Sequence, residues 1–240
     1  SRKSLRPLPF PQTCGEIKMP TRIEIRGEAL DLFPERAVFW PKRRTLILSD
    51  IHFGKDQYFR LSGVPIPQGL TESLLANLQH LVTLCEPARI LVLGDFWHHK
   101  FGISEDVDSK LLEWQDENRD LKWHVIPGNH DRRLEEWADR WNLVLLNDFL
   151  LEPPFLFTHD PSAIVLPKST SAYLLSGHLH PAVRLQAPGF PDQKLPCFWL
   201  SKDYGVLPAF NTFTGLNLQK YCKGDQIGVI ADNEVILWDY

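Results

Sequence analysis

The chain has 240 residues, 43% of them hydrophobic and 23% charged, and a formal net charge of -4. That is enough apolar material for one buried core, in the composition of a soluble globular domain. It excludes a protein that coats duplex DNA by bulk charge, which would be basic, and no apolar run approaches the ~20 residues of a membrane span or forms a signal-peptide core.

Residues 1–20 are rich in proline and basic side chains and can bury little, so they are expected to be a disordered tail, inert or partner-binding. Met19, the only methionine, is the expected natural start. Residues 21–27 alternate as a strand, with Ile23 and Ile25 on one face, and 37–40 are expected to be its partner across a turn at Pro34-Glu35. A short apolar strand over 45–49 ends at Asp50. Prolines and glycines make 50–69 a predicted long loop.

Leu70, Leu74, Leu75, Leu78, Leu81 and Val82 recur at helical spacing, with His80 on the solvent side. Residues 89–93 form the next buried strand. Ser104 then caps a helix with an acidic first turn and an inner stripe of Val107, Leu111 and Trp114. A strand over 122–126, with His124 inside it, runs into Pro127-Gly128, and a third helix follows with Leu134, Trp137 and Trp141 on one side. From Pro196 the chain turns β-rich, in four short strand-like segments.

Alternating strand and helix followed by strands alone predicts an α/β fold. Two mixed sheets pack face to face with helices outside, a four-layer αββα sandwich. The two N-terminal strands are assigned to the second sheet, and residues 21–240 to one domain. Cys14, Cys85, Cys197 and Cys222 form no CxxC pair, which fits a reducing, cytoplasmic location.

Five apolar runs end in metal-capable side chains: LILSDIH at 46–52, ILVLGDFWH at 90–98, VIPGNHD at 125–131, FLFTHD at 155–160 and LLSGHLH at 174–180. Open α/β sheets place ligand sites at such carboxyl ends. Asp50 and His52 are two apart in extended chain, so both can point the same way, and so can His178 and His180. With Asp95, Asn129 and His159 they offer two carboxylates, four imidazoles and an amide oxygen. That exceeds the four ligands of a tetrahedral zinc and suits two divalent ions sharing a carboxylate and a water. Nitrogen and oxygen ligands without thiolate favour manganese, iron or zinc. Such a pair lowers the pKa of bound water, making hydroxide available for in-line displacement at phosphorus.

In this order, DIH, GDFWH, GNHD, a lone TH and GHLH resemble the calcineurin-like metallophosphoesterases. His98 stands where the general family has aspartate, as in the double-strand-break repair nucleases of that superfamily. AVFWP, DIHFGK followed by FRxxGxPxPxG, GDFWH and LPAFNTFTG are similar to the bacterial DNA-ligase-associated, PdeM-type DNA-damage-response endonucleases.

The resemblance implies that Asp50, His52, Asp95 and His180 hold one metal. Asp95, Asn129, His159 and His178 hold the other, with Mn2+ first among the candidate ions. It implies that His130 protonates the leaving oxygen, that Asp131 orients His130 or caps a helix, and that His98 touches substrate or steadies His130. Lys55 and Arg60 meet a substrate phosphate or form surface ion pairs. Where the family has HG, this chain has His159-Asp160.

The implied activity is metal-dependent hydrolysis of phosphodiesters, of DNA in a repair context, beside a DNA ligase and helicase of the same system and away from membranes. A phosphatase or phosphodiesterase for a nucleotide-type small molecule is the alternative enzyme. A non-catalytic scaffold would be expected to have lost ligands, and this chain keeps them all.

Overall fold

A computed structural model describes residues 19–66, 68–164, 171–186 and 191–240. All but the last two residues of the expected tail lie outside the described residues. The first sheet holds β1 (Thr21–Ile25), β2 (Glu28–Phe33), β3 (Ala37–Trp40), β4 (Thr45–Leu48), β5 (Arg89–Leu93), β6 (Lys122–Ile126) and β7 (Leu143–Leu145), adjacent in that order. Pairing is antiparallel from β1 to β4 and parallel from β4 to β7.

Among the described residues the second sheet has nine strands. They are β8 (Phe149–Glu152), β9 (Phe155–Thr158), β10 (Tyr173–Ser176), β11 (Pro181–Leu185), β12 (Gln193–Leu200), β13 (Tyr204–Val206), β14 (Asn217–Leu218), β15 (Gln226–Ala231) and β16 (Glu234–Asp239). Their order is β14-β11-β12-β13-β10-β9-β8, with β15 on β12 and β16 on β15.

The central strands are mostly apolar because both faces are covered, and period two decides what each side chain meets. Leu46 and Leu48 of β4, Ile90 and Val92 of β5, and Trp123 and Val125 of β6 face the helices. Ile47, Leu91, Leu93 and Ile126 face the second sheet, against Phe155, Phe157, Tyr173 and Leu175. The helical layer is α2 (Leu70–Cys85), which buries Leu74, Leu75, Leu78 and Leu81, and α3 (Glu105–Glu117), which buries Val107, Leu111 and Trp114. The Ser104 hydroxyl accepts from the Val107 amide at 3.3 Å, as the cap predicted. The outer face of the second sheet carries Val183, Cys197, Trp199, Val206 and Ile227. Among the described residues it is closed by non-helical chain, with Tyr221 bonding the Ala182 carbonyl at 2.9 Å.

The two packed mixed sheets with helices are present as expected, but among the described residues the helices cover the first sheet only, and further details differ. β2 lies between the two predicted N-terminal strands, and β1 through β3 extend the first sheet, not the second. Their apolar residues Ile23, Leu30, Leu32 and Val38 face inward from that side. Residues 55–61, read as loop, form α1 (Lys55–Leu61), tied by an Asp56–Arg60 ion pair of 2.9 Å one turn apart. A helix of seven residues is too short to display a helical period. The third predicted helix shrinks to the single turn α4 (Glu135–Ala138). Of GVLPAFN only the first residues belong to β13; the rest leaves the sheet and crosses to the carboxyl ends of the strands.

Candidate metal centre

Loops after β4, β5, β6, β9 and β10 meet at one end of the sandwich and bring the predicted ligands together. The turns are laced by backbone bonds: Asp50 N to Gly94 O at 3.0 Å, His52 N to Asp95 O at 2.9 Å, Gly177 N to His159 O at 3.0 Å. Asp50, His52, Asp95, His178 and His180 all sit in the left-handed region, with φ of 53°, 50°, 52°, 68° and 47°. Non-glycine residues are uncommon there, Asp and His less so than most. Such strain persists only where the surroundings enforce it, and it concentrates at functional sites.

The glycine before each of three ligands has a local cause. A Cβ on Gly94 would strike the His159 ring, one on Gly128 the Asp95 carboxylate, and one on Gly177 Ser49 and Asp50.

Asp95 is central. Its Oδ2 lies 3.7 Å from His52 Nε2 and its Oδ1 3.6 Å from His159 Nε2, so the two oxygens address opposite halves of the cluster. On one side His180 Nε2 stands 3.1 Å from Asp50 Oδ1. On the other, His159 Nε2 is 3.1 Å from Asn129 Oδ1 and 3.0 Å from His178 Nδ1. The donor atoms of Asp50, His52 and His180 lie within 4.8 Å of one another, as do those of Asp50, Asp95 and His159.

Fit to divalent ions is tested by the lone pairs. His52 Nδ1 is buried and makes no hydrogen bond, and Asp50 Oδ1 and His180 Nε2, buried and 3.1 Å apart, have no other partner than each other. An unsatisfied buried polar atom costs about 1–3 kcal/mol, and buried donors left with so few partners call for a group that takes lone pairs. Imidazole and carboxylate donors without thiolate match manganese, iron or zinc.

The electrostatics agree. Burial pushes the Asp95 carboxyl above its ordinary range, His159 opposes this, and the nearby Asp50 charge adds to it. Burial works against ionising Asp50 too, but the His180 and His159 imidazoles and the Ser49 hydroxyl hold it below its usual value. Two carboxylates in one dry site are relieved by a cation. Burial, then the Lys55 charge, brings His52 down to about 2, which leaves the neutral ring a metal requires.

His130 and His98 lie beside His52, with ring centroids 5.0 and 5.3 Å from it. His130 Nδ1 is 2.9 Å from the His98 carbonyl, which fixes the ring, and the His130 amide donates to Asp95 Oδ1 at 2.9 Å. Burial, with Lys55 and His130 nearby, lowers His98 to about 4.

Asp131 corrects one expectation. Its carboxylate does not reach the His130 ring; it accepts from the amides of Gly128, Phe96 and Trp97 at 2.8, 3.2 and 3.2 Å, clamping the Asp95 and Asn129 loops together. Burial raises this carboxyl to about 7. Arg60 is engaged with Asp56 and Gln57 along α1, the ion-pair alternative. Lys55 faces the site, with Nζ 3.3 Å from Thr214 Oγ1, and burial lowers its pKa while Asp50 and Asp95 raise it. Asp160 accepts from the Ser162 amide and hydroxyl at 2.8 and 2.7 Å.

Sequence reasoning missed Asn211. It is buried, donates from Nδ2 to the Ile51 carbonyl at 2.9 Å, and accepts on Oδ1 from the Phe213 amide at 2.8 Å. It therefore holds the carbonyl between Asp50 and His52 and anchors the segment carrying Thr214. The FNTF stretch was legible as part of a motif, but nothing in it signalled which backbone it would bind.

The sequence model of the calcineurin-like phosphoesterase family matches residues 43–178. The fold is similar to the crystal structure of Pseudomonas putida nuclease MPE, with a TM-score of 0.77 and 28% identity over 90% of this chain and 100% of that one. Yfce, a phosphoesterase from E. coli, aligns with a TM-score of 0.43 and 14% identity over 81% of this chain and 98% of that one. No curated protein matches. Among the described residues no helix is long and apolar enough to cross a membrane.

Proposed function

We propose, from the premise that the chain belongs to the calcineurin-like phosphoesterase family and is a metal-dependent phosphoric ester hydrolase, that its substrate is a phosphodiester of DNA in repair. Support comes from the likeness to a protein named a nuclease and from His98 beside His130. The observation that carries it is Asp95, whose two oxygens face His52 on one side and His159 on the other.

Asp50, His52, Asp95 and His180 would hold one cation and Asp95, Asn129, His159 and His178 the second, Mn2+ being our choice. When bound, such a pair offsets the charge of the phosphate and lowers the pKa of water. The protein supplies the rest. A water gives up a proton to solvent as its oxygen bonds to phosphorus, the opposite phosphorus–oxygen bond breaks, and His130 gives its proton to the leaving oxygen and takes another from solvent. The His98 carbonyl holds the His130 ring for that transfer, and Asp131 fixes the two loops on which Asp95 and Asn129 ride. Lys55 is placed to meet a phosphate oxygen.

We place the enzyme in the cytoplasm, where Cys85, Cys197 and Cys222 stay unpaired, beside a DNA ligase and helicase as its working partners.

The test is Mn2+-dependent turnover of DNA, a bis-aryl phosphate and a mono-aryl phosphate in parallel, with Asp95→Ala as control. DNA and diester cleavage that vanishes in the control is expected. Turnover of the monoester alone would replace this substrate class with a small-molecule phosphatase.

A further inference from the structure

Beside the cluster, four rings form a column. His130 meets His52 edge-on, with centroids 5.0 Å apart. His130 stacks on His98 at 4.8 Å and 24°, and His98 stacks on Phe59 at 5.6 Å and 20°. Phe213 closes the outer end edge-on to Phe59 at 6.2 Å. Phe59 and Phe213 are half-buried, and neither belongs to the hydrophobic core clusters. Core packing therefore does not account for two large rings at the mouth of a polar site.

Their placement has a pattern. Lys55 and Phe59 are four residues apart on α1 and so share one face. The adjacent pair Phe213-Thr214 answers them in kind, with Thr214 Oγ1 on Lys55 Nζ at 3.3 Å and Phe213 against Phe59. The Asn211 carboxamide holds the Phe213 amide. On the helix the residue bearing the cation thus stands about one turn, ~5.4 Å of backbone rise, from a residue bearing one of the rings. A nucleotide likewise holds its anionic phosphate and its planar base a few ångströms apart across one sugar.

We propose that Lys55 and Thr214 take a phosphate oxygen while Phe59 and Phe213 seat the nucleobase next to the cleaved phosphate, making these two rings the determinants of preference for nucleotide over base-free diesters. This deepens the phosphodiesterase function proposed above and rests on it. Base–aromatic stacking is insensitive to which base is present, because every base has a π-face.

The test compares two diesters that release the same p-nitrophenolate, thymidine 5′-(p-nitrophenyl) phosphate and methyl p-nitrophenyl phosphate, with the Mn2+-loaded protein. The measured quantity is the ratio of their kcat/KM values, which cancels any loss common to both. A preference for the thymidine ester of about 5- to 150-fold is expected, carried in KM. It should collapse toward unity in Phe59→Ala and largely return in Phe59→Trp, with Phe213→Ala intermediate. Calorimetric binding of thymidine 5′-monophosphate against methyl phosphate is the second readout and should follow the same order. A ratio near one in the unmodified protein, or one that survives loss of both rings, overturns the nucleobase seat. If neither ester is hydrolysed, the phosphodiesterase proposal fails, and the calorimetric comparison still decides whether the seat exists.

Discussion

Asn211→Ala separates positioning of the metal loop from global stability. The substitution leaves the Ile51 carbonyl without its donor and the Phe213 amide without its acceptor. Ile51 is fully buried, so water cannot replace the lost bond there, whereas Phe213 is partly exposed and can be rehydrated. One buried orphan costs about 1–3 kcal/mol. That carbonyl lies between Asp50 and His52, both held at positive φ, so the loss falls on a turn that has other conformations to relax into. If most of it is expressed there, Mn2+ affinity falls by about 5- to 150-fold, with a thermal midpoint lowered by only a few degrees. Asn211→Asp keeps the acceptor for Phe213 but turns an oxygen toward the Ile51 carbonyl, and it should bind Mn2+ no better than the alanine variant. The assay is calorimetric Mn2+ titration alongside thermal unfolding of metal-free protein. Unchanged Mn2+ affinity in Asn211→Ala, with stability lowered, would refute the link between this amide and the metal loop.

His130→Ala should lower kcat by about 10²–10⁴-fold, the usual contribution of a general acid, while Mn2+ titration stays near that of the unmodified protein; the loss should shrink for esters of acidic phenols, which need little protonation. Chelating the metal should lower the thermal midpoint, because an ion present at 100 times its Kd adds about 2.7 kcal/mol to the folded state; a midpoint indifferent to chelator and to added Mn2+ would contradict the pre-formed cluster. Asp108→Ala should destabilise by about 1–3 kcal/mol, chiefly by stranding the buried Trp141 indole N–H that donates to it at 2.8 Å. The exposed Arg140 partner adds little to that cost, although the bond from Arg140, against burial, holds the Asp108 carboxyl below its usual range. A depressed folded-state pKa makes the ionised carboxyl's share of this stabilisation present above the ordinary carboxylate value and lost as pH falls through the lower one, so the gap between denaturant midpoints of the variant and the unmodified protein should narrow in acid without closing.

Much of the centre was legible before any fold was built, because each ligand punctuates a buried strand. An apolar run such as Leu46–Leu48 has few ways to end at the protein surface, and Asp50 and His52 directly after it are fixed to one rim. Five such endings identify a shared end of the sheets, and the glycines of GD, GN and GH mark where backbone must pass close to a ligand. α1 was invisible because it is about two turns between two breakers. β1 and β3 were expected in the second sheet, not the first, because alternation fixes which face of a strand is buried but not against which neighbour.

The sequence alone determined the donor set, its order along the chain, and the sandwich that gathers it, since local periodicity and strand ends depend on near neighbours. Only the tertiary structure decided that Asp131 clamps backbone amides, that Asn211 crosses about 160 residues to hold the Ile51 carbonyl, and that Phe59 stacks beside His98. Those contacts follow from how two sheets pack and where a departing strand lands, and these are set by the sum of the whole core's burial rather than by any local pattern.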